Sequence, residues 1–314
     1  MKIFDKKNVI ITKIDEDDLL TFLLKMDIDD NNQPLYPLEV FTQEIMQVIP
    51  EYVFAQYEDP TLSYTGAVDK LREAANTIYK IKEFDLLRTV YLSDDATVKL
   101  KAQQELATLP YKNRGEFGEL LLHFLLRDFK GTIPLISKVY FKDSNNVPAH
   151  GFDAVHISPN EKILWLGESK LYSDGKEGIK ALLDDLNKHL KTEYIDDQFV
   201  LIAKNLKNNS IPQREYWIKE IAAASSLREK LSFINIPILC VYEHDIYDRF
   251  ADTTLQDAAD YHEMNVRELK KYFDDKNTNH LKDRCNIVLL LFPVKSKNDL
   301  VKKLHERLWH MQSM

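Results

Sequence analysis

Hydrophobic and polar positions follow their most regular pattern after residue 114, and there they predict two helices. The first covers residues 116–129, EFGELLLHFLLRDF, which are apolar at most positions and so predict a helix buried on nearly all sides. The second is predicted by a single apolar stripe in which residues recur three and four positions apart. Its members are Ile179, Leu182, Leu183, Leu186 and Leu190. Both helices are expected to pack against a core.

Short apolar runs between and after these helices predict β-strands. The predicted strands are residues 133–141, 151–158, 162–171 and 198–203. The order α-β-β-β-α-β predicts an α/β fold in which a mixed sheet is flanked by helices. The second helix is expected to cross over to a strand that lies parallel to the strand before it.

The first hundred or so residues have a mostly helical pattern. Helices are predicted at residues 40–54 and 67–81, and one strand is predicted at residues 8–14. A proline and several polar residues, ATLPYKNR at 107–114, indicate a boundary between two periodic regions. We therefore expect a separate, mostly helical accessory region at residues 1–110.

Residues 111–314 are expected to form the second region, which holds the α/β unit and a C-terminal α/β extension. The extension is predicted to contain strands at residues 236–242 and 285–294. A closing amphipathic helix is predicted at residues 298–309.

Composition and charge narrow the class of protein. The longest relevant apolar run, residues 287–292, is far short of the roughly 20 residues that span a bilayer. The start of the chain, MKIFDKKN, lacks the apolar core of a signal peptide, so we expect a cytoplasmic protein that does not enter a membrane. A net charge of −8 argues against a protein that binds nucleic acid on its own. Cys240 and Cys285 lie in or beside predicted strands and are expected to be reduced core residues.

One predicted hairpin carries an acid on each of its buried strands. Residues 151–170, GFDAVHISPNEKILWLGESK, contain Asp153 on the first strand and Glu168 on the second. A turn centred on residues 160–161 makes the numbers of paired residues sum to 321, which places the two acids directly opposite, with β-carbons about 5 Å apart. Lys170 lies on the same face because strand side chains repeat every second residue.

Such a pair of carboxylates needs a compensating charge. At about 4 Å they repel by roughly 4 kcal/mol at an effective dielectric constant near 20. Mg²⁺, with Mn²⁺ as a substitute, suits hard oxygen ligands and a phosphate substrate. We therefore expect Asp153 and Glu168 to bind the metal and Lys170 to position or deprotonate a water or to stabilise developing negative charge. This chemistry is metal-assisted hydrolysis of a phosphodiester.

The preceding helix offers a further carboxylate. Glu116, Glu119 and His123 recur at i, i+3 and i+7, which makes a polar stripe on an otherwise apolar helix. Such a stripe must face water or a polar site. Glu119 lies deeper in the apolar run and is the preferred ligand, direct or through water. Glu116 is the alternative ligand. It is otherwise expected to be an exposed acid in the first turn, which the helix dipole favours.

Together these residues resemble the PD-(D/E)xK nuclease superfamily, over about residues 114–203. More narrowly, RGEFGELLLHFLL, HGFDAVHI and LWLGESKLY resemble HamA, the nuclease subunit family of the Hachiman anti-phage defence system. The resemblance implies a restriction-endonuclease-like core and Mg²⁺-dependent DNA cleavage. It implies the backbone carbonyl of Ser169 as a further metal ligand, and Lys170 as the catalytic lysine. Phe152 stands in place of the proline of the superfamily name, which is often absent.

The resemblance also implies partners. HamA proteins act with HamB, a superfamily 2 helicase, so a helicase subunit and DNA are the expected partners. The accessory region at residues 1–110, together with the C-terminal helices, is then expected to be the partner-binding surface. The residues alone are compatible with cleavage of DNA or RNA, and the resemblance favours DNA.

Two other functions compete with the nuclease. The first is a catalytically inactive nuclease-fold scaffold or sensor that binds a helicase, with Asp153 and Lys170 forming an ion pair and Glu168 in solvent. The second is a zinc enzyme, for which His150 and His156 lie near the hairpin. No His-x-Glu-x-x-His or Cys-x-x-Cys spacing supports zinc, and His156 is predicted to face away from Asp153.

Overall fold

The structure is a computed structural model that describes residues 9–54, 66–79, 81, 86, 89–90, 93–108, 115–135, 151–206, 211–224 and 226–314. The strands within these ranges are β1 (Ile10–Asp15), β2 (Leu19–Leu24), β3 (Asp27–Ile28), β4 (Pro34–Leu35), β5 (Ile133–Pro134), β6 (Ala154–Ser158), β7 (Ile163–Leu171), β8 (Ile234–Glu243) and β9 (Asn286–Val294).

Helices of the described residues precede, separate and follow these strands. They are α1 (Leu38–Gln47), α2 (Ile49–Phe54), α3 (Ala67–Ile78), α4 (Ala96–Thr108), α5 (Glu116–Lys130), α6 (Gly175–His189), α7 (Thr192–Leu206), α8 (Arg214–Ala223), α9 (Leu227–Leu231), α10 (Ile246–Arg249), α11 (Gln256–Lys276) and α12 (Lys297–Ser313). None of the helices in these ranges has the length and apolar content that crossing a bilayer requires.

A seven-stranded mixed sheet organises the fold. Its strand order is β1-β2-β9-β8-β7-β6-β5. The four strands β2, β9, β8 and β7 run parallel to one another, and antiparallel strands flank them on both sides. The structure is therefore a mixed α/β fold with a helix-flanked sheet.

The two faces of the sheet belong to two apolar cores. Along β7, Trp165 lies in the core that contains α1, α2, α3, α5 and α12, whereas Leu164 and Leu166 lie in the core that contains α6, α7, α8 and α11. This alternation is expected from the two-residue repeat of a strand. The central strands are buried on both faces, and so their sequences are almost continuously apolar.

The predicted strand at residues 198–203 is wrong, because these residues belong to helix α7. The apolar run FVLIA resembles a short buried strand, but the apolar residues that α7 buries, Ile195, Phe199, Ile202 and Leu206, recur at helical spacing. The parallel partner of β7 is instead β8, which is reached after three further helices. The strands predicted at 236–242 and 285–294 and the final helix are confirmed as β8, β9 and α12.

The N-terminal residues share the sheet and one of its cores. The predicted strand at residues 8–14 is observed as β1, and β2 pairs with β9 inside the main sheet. Pattern analysis missed β2, in which all six residues are buried, and the small β3–β4 pair. The helix predicted at 40–54 is interrupted at Val48, just before Pro50, and forms α1 and α2. The predicted strand at 133–141 is described only as far as Leu135, and the rest lies outside the described residues.

Candidate active site

The predicted hairpin register is confirmed. Paired residues of β6 and β7 run from Ala154 with Gly167 to Ser158 with Ile163, and each pair of numbers sums to 321. The connecting loop, residues 159–162, includes Lys162 in a left-handed conformation at φ 59°. Continuing this register by one pair places Asp153, just before β6, opposite Glu168 on β7.

Asp153 is held by the residue that follows Glu168. The backbone N–H and the side-chain hydroxyl of Ser169 both donate hydrogen bonds to Oδ2 of Asp153, each at 2.8 Å. This contact is possible because Gly118 of α5 leaves room for Ser169: a β-carbon at position 118 would lie 3.1 Å from Oγ of Ser169. The carboxylate is thereby fixed at the end of the hairpin.

Glu168 points to the opposite face of β7, towards α6, and only 3% of the residue is exposed. Oε1 of Glu168 lies 2.7 Å from Nδ1 of His189, the last residue of α6. Both atoms are buried and neither has a hydrogen-bond partner, so the contact is a close approach that lacks hydrogen-bond alignment. The ring of His189 stacks on Tyr194, with centroids 4.2 Å apart.

Lys170, two residues further along β7, also turns towards α6. Its Nζ lies 2.5 Å from Oδ2 of Asp185, and Lys188 contacts the other oxygen of the same carboxylate at 2.8 Å. The competing interpretation with an Asp153–Lys170 ion pair and Glu168 in solvent is therefore wrong on both points, since Lys170 pairs with Asp185 and Glu168 is buried.

Helix α5 brings Glu119 to the same place. Tyr52 of α2 donates a 2.7 Å hydrogen bond to Oε2 of Glu119. Glu119 is close enough to Asp153 and Glu168 to raise the pKa of each. Glu116 lies in the first turn of the same helix and contributes to the raised pKa of Tyr52. Four of the predicted site residues, Asp153, Glu168, Lys170 and Glu119, thus lie near enough to influence the pKa values of the two hairpin acids.

The crowded acids have strongly perturbed pKa values. Burial raises the pKa of Asp153 well above its usual range, and the charges of Glu168 and Glu119 add to this effect. Burial also raises the pKa of Glu168 to about 8, against the opposing effect of Lys170. The site therefore favours either protons or a compensating cation.

Lys170 remains a cation here. Burial alone would lower its pKa, but the ion pair with Asp185 and the charges of Asp153 and Glu168 outweigh burial and raise the pKa. The pKa of Asp185 is lowered, because its two lysine partners outweigh its partial burial. Lys170 is thus suited to stabilise negative charge, and its deprotonation is disfavoured.

The chemistry of these donors fits a hard divalent cation. Glu168 presents a buried oxygen that accepts no hydrogen bond, and Asp153 is a second carboxylate beside it. In the described part of the chain, no three His, Cys, Asp or Glu side chains form a ready-made metal cage. Any ion held here would therefore depend on few protein ligands and complete its shell with other oxygens, as Mg²⁺ commonly does.

Comparison with known families gives a match along almost the whole chain. The family model HamA matches residues 2–308. The chain belongs to the HamA family. Membership of the HamA family suggests a role in anti-phage defence. Among curated proteins, none matches the chain.

Three residues at this HamA-family site were missed by pattern analysis, Asp185, His189 and Tyr52. Asp185 and His189 are polar residues beside the apolar stripe of α6, where solvent-facing positions are equally common. Tyr52 lies 67 residues before its partner Glu119. The one available signal was the i, i+4 spacing of Asp185 and His189, which places both on one side of the helix.

His123, predicted to share the polar stripe of α5, belongs to a different cluster. Its Nδ1 lies 3.0 Å from Nε2 of His156, and Thr132 contacts Nδ1 of His156 at 2.8 Å. His156 therefore faces α5, and Glu168 faces α6 on the other side of the sheet. His150, the other histidine near the hairpin, lies outside the described residues.

Proposed function

We propose that this chain is a Mg²⁺-dependent deoxyribonuclease, the effector subunit of a two-component anti-phage defence complex with a helicase. Asp153 and Glu168 would hold the ion, with Glu119 acting directly or through water and the backbone carbonyl of Ser169 as a further ligand. Lys170 would stabilise negative charge on the phosphate.

The observation that carries this proposal is the crowding of buried acids beside a lysine. Burial raises the pKa of both Asp153 and Glu168; the charges of Glu168 and Glu119 raise that of Asp153 further, and the charges of Asp185 and Glu119 act in the same direction on Glu168. A fold without a function for this cluster would gain stability from replacing Glu168, because its buried Oε1 accepts no hydrogen bond and a poorly compensated buried carboxylate is costly. Perturbed carboxylates next to a fixed cation are typical of functional sites.

The chain's own residues divide the chemical tasks. Ser169 fixes one oxygen of Asp153 through two hydrogen bonds, and the other oxygen would bind the ion. Lys170 carries a positive charge that Asp185 maintains. When bound, a divalent cation supplies charge neutralisation at phosphoryl oxygens and a water of lowered pKa.

Cleavage of plasmid DNA by the full-length chain, with and without its helicase partner, tests the proposal. Mg²⁺ should support cleavage and EDTA should abolish it. Asp153→Asn, Glu168→Gln and Lys170→Met should each lower the rate by about a hundredfold or more. Asp184→Asn, an exposed acid on α6, is the matched control and should cleave like the wild type. Equal cleavage by the wild type and the three site variants would refute the proposal. Faster cleavage of RNA than of DNA would show that DNA is not the preferred substrate.

One observation favours the scaffold alternative. Among the described residues, no group of three or more potential ligands is arranged to hold a metal. Lys170 forms its ion pair with Asp185 and not with Asp153 or Glu168. In a scaffold the site variants would be as inactive as the wild type but would still bind the helicase. Isothermal titration with Mn²⁺ separates the two functions. If the chain is a nuclease, the wild type should bind Mn²⁺ and the Glu168→Gln variant should not.

A further inference from the structure

Helix α6 makes two polar contacts with strand β7, and both end on residues of the proposed catalytic motif. Asp185 contacts Lys170 at 2.5 Å, and His189 approaches Glu168 at 2.7 Å. The helix residues are four positions apart and the strand residues two. These contacts link α6, which the sequence motif does not include, to the centre of the site.

The spacing of these contacts matches the geometry of the two elements. Four residues of an α-helix rise about 6.0 Å, and two residues of a strand rise about 6.6 Å. The order is antiparallel, because the later helix residue meets the earlier strand residue. A contact of Gly178 supports this order: a β-carbon there would lie 3.4 Å from Cβ of Tyr172, so an earlier helix residue meets a residue beyond the end of β7. One register of α6 on β7 therefore satisfies both contacts.

Shielding from solvent distinguishes the Asp185–Lys170 pair from ordinary surface pairs. The side chains of Lys170 and Asp185 are 25% and 21% exposed, whereas Lys188, the other partner of Asp185, is 67% exposed. Exposed pairs contribute little because water screens them and long side chains lose freedom. A partly buried pair at the end of a strand instead holds the flexible lysine in one direction.

We propose that Asp185 is a positioning residue, which holds the ammonium of Lys170 in place beside Asp153 and Glu168. Asp185 acts through Lys170 and does not touch the reacting phosphate. The inference rests on the proposed nuclease function for its catalytic consequence, but the placement of Lys170 can be tested without any cleavage. The close approach of His189 to Glu168 fixes the same register of α6.

The kinetic test uses the full-length chain with its helicase partner, Mg²⁺ and DNA. The variants are Asp185→Asn, Asp185→Glu, Lys170→Met and the double variant Lys170→Met with Asp185→Asn. Asp184→Asn, the exposed neighbour on the same helix, is the matched control. Thermal unfolding of each variant checks that it is folded, and Asp185→Ser replaces Asp185→Asn if that variant does not fold.

A positioning role predicts a specific kinetic pattern. Asp185→Asn should lower kcat by about tenfold and leave KM within about twofold, because substrate binding does not use this contact. Asp185→Glu should recover part of the loss, and Asp184→Asn should match the wild type. The double variant should be no slower than Lys170→Met, because Asp185 has nothing left to position. An unchanged kcat in Asp185→Asn, or losses that multiply in the double variant, would overturn the proposal.

A second measurement is independent of catalysis. Crystal structures of the wild type and of Asp185→Asn show directly where the ammonium of Lys170 lies. We expect it within hydrogen-bond distance of Asp185 in the wild type, and displaced or in several conformers in the variant. An unchanged, single position of Lys170 in the variant would overturn the inference. An inactive wild type with a displaced Lys170 in the variant would refute the nuclease and leave the positioning contact standing.

Discussion

Ser169 donates two hydrogen bonds to a single oxygen of Asp153, one from its backbone N–H and one from its hydroxyl. Asp153 lies just before β6 and Ser169 lies on β7, between Glu168 and Lys170 in the sequence. One residue of the motif thus holds the acid that precedes the opposite strand. These two donors are distinct from the backbone carbonyl of Ser169, which the family resemblance implies as a metal ligand.

Replacement of Ser169 by alanine removes one of these two donors and keeps the other. Hydrogen bonds to a carboxylate contribute about 1.5–3 kcal/mol, so we expect a loss of DNA cleavage of about tenfold or more. The loss should be smaller than that of Asp153→Asn. Single-turnover cleavage rates measure the effect.

Ser173→Ala is the control for Ser169→Ala, because Ser173 is an exposed serine in the same segment. It should cleave at the wild-type rate. A Ser169→Ala enzyme as active as Ser173→Ala would show that the backbone N–H alone holds Asp153 and that the hydroxyl is dispensable.

The hairpin and its acids could be predicted because local rules determine them. Alternating burial assigns the faces of the strands, and a short loop centred on residues 160–161 leaves one register in which both apolar faces are buried. The observed pairing of Ala154 with Gly167 follows this register. The proximity of Asp153 to Glu168 therefore needed no knowledge of distant parts of the chain.

Other features depend on tertiary packing and could not be predicted from local patterns. Phe199 and Ile202 lie in a run that fits a buried strand as well as a buried helix, and only the partner elements decide between them. The contact of Asp185 with Lys170 depends on how α6 packs on β7. The contact of Tyr52 with Glu119 depends on α2, which no local pattern connects to the site.

Close packing of α6 against β8 leads to a second prediction. Gly178 lies where a β-carbon would be only 2.6 Å from Sγ of Cys240. Both residues are buried, so Gly178→Ala must displace the helix or the strand. Overpacking of this kind costs about 1–3 kcal/mol, and urea unfolding should show a loss in that range.

Two further variants test that cause. Cys240→Ala removes the opposing sulfur, so the double variant should recover part of the stability lost in Gly178→Ala. Gly115→Ala, where no atom lies within 4 Å of the added β-carbon, should leave the free energy of unfolding almost unchanged. A double variant no more stable than Gly178→Ala would mean that another neighbour is responsible.

Removal of the N-terminal region gives a third prediction. A chain that starts at residue 111 lacks β1 and β2 and exposes the edge of β9. It also loses α1, α2 and α3, which pack in the same core as α5 and α12. An uncovered, apolar strand edge is a site of aggregation.

We therefore expect this truncated chain to be insoluble or to lack cooperative unfolding. Expression, size-exclusion chromatography and thermal denaturation of the truncated and full-length chains measure this. A soluble, cooperatively folded fragment would show instead that residues 111–314 are an independent domain, as the division at residue 110 predicts.

The last prediction concerns the buried histidine pair and its response to acid. Burial lowers the pKa of His123 well below its usual value of 6.5 and lowers that of His156 to about 3. Both are neutral in the folded chain but take up protons below pH 6.5 in the unfolded chain. The contribution of each histidine to stability should therefore fall as the pH drops below 6.5, by up to about 1.4 kcal/mol per pH unit.

Glu51 has the opposite effect on the change of stability with pH. It lies 4.0 Å from Nε2 of His123 and pairs with Arg127 at 2.7 Å. Burial raises its pKa to about 7, against the effect of Arg127. As the pH falls through 7, folded Glu51 takes up a proton before the unfolded chain does, and the folded state gains stability. The histidines and Glu51 thus contribute slopes of opposite sign.

Two variants separate these slopes. His156→Gln removes a histidine, so the change in the free energy of unfolding from pH 6.5 to pH 5 should be less destabilising than in the wild type, even if the variant is less stable at pH 7.5. Glu51→Gln removes an opposing group, so the same change should be more destabilising than in the wild type. Urea unfolding at several pH values measures the slopes. Because the two variants must deviate from the wild type in opposite directions, parallel curves for all three chains would mean that the cluster around His123 does not control acid stability.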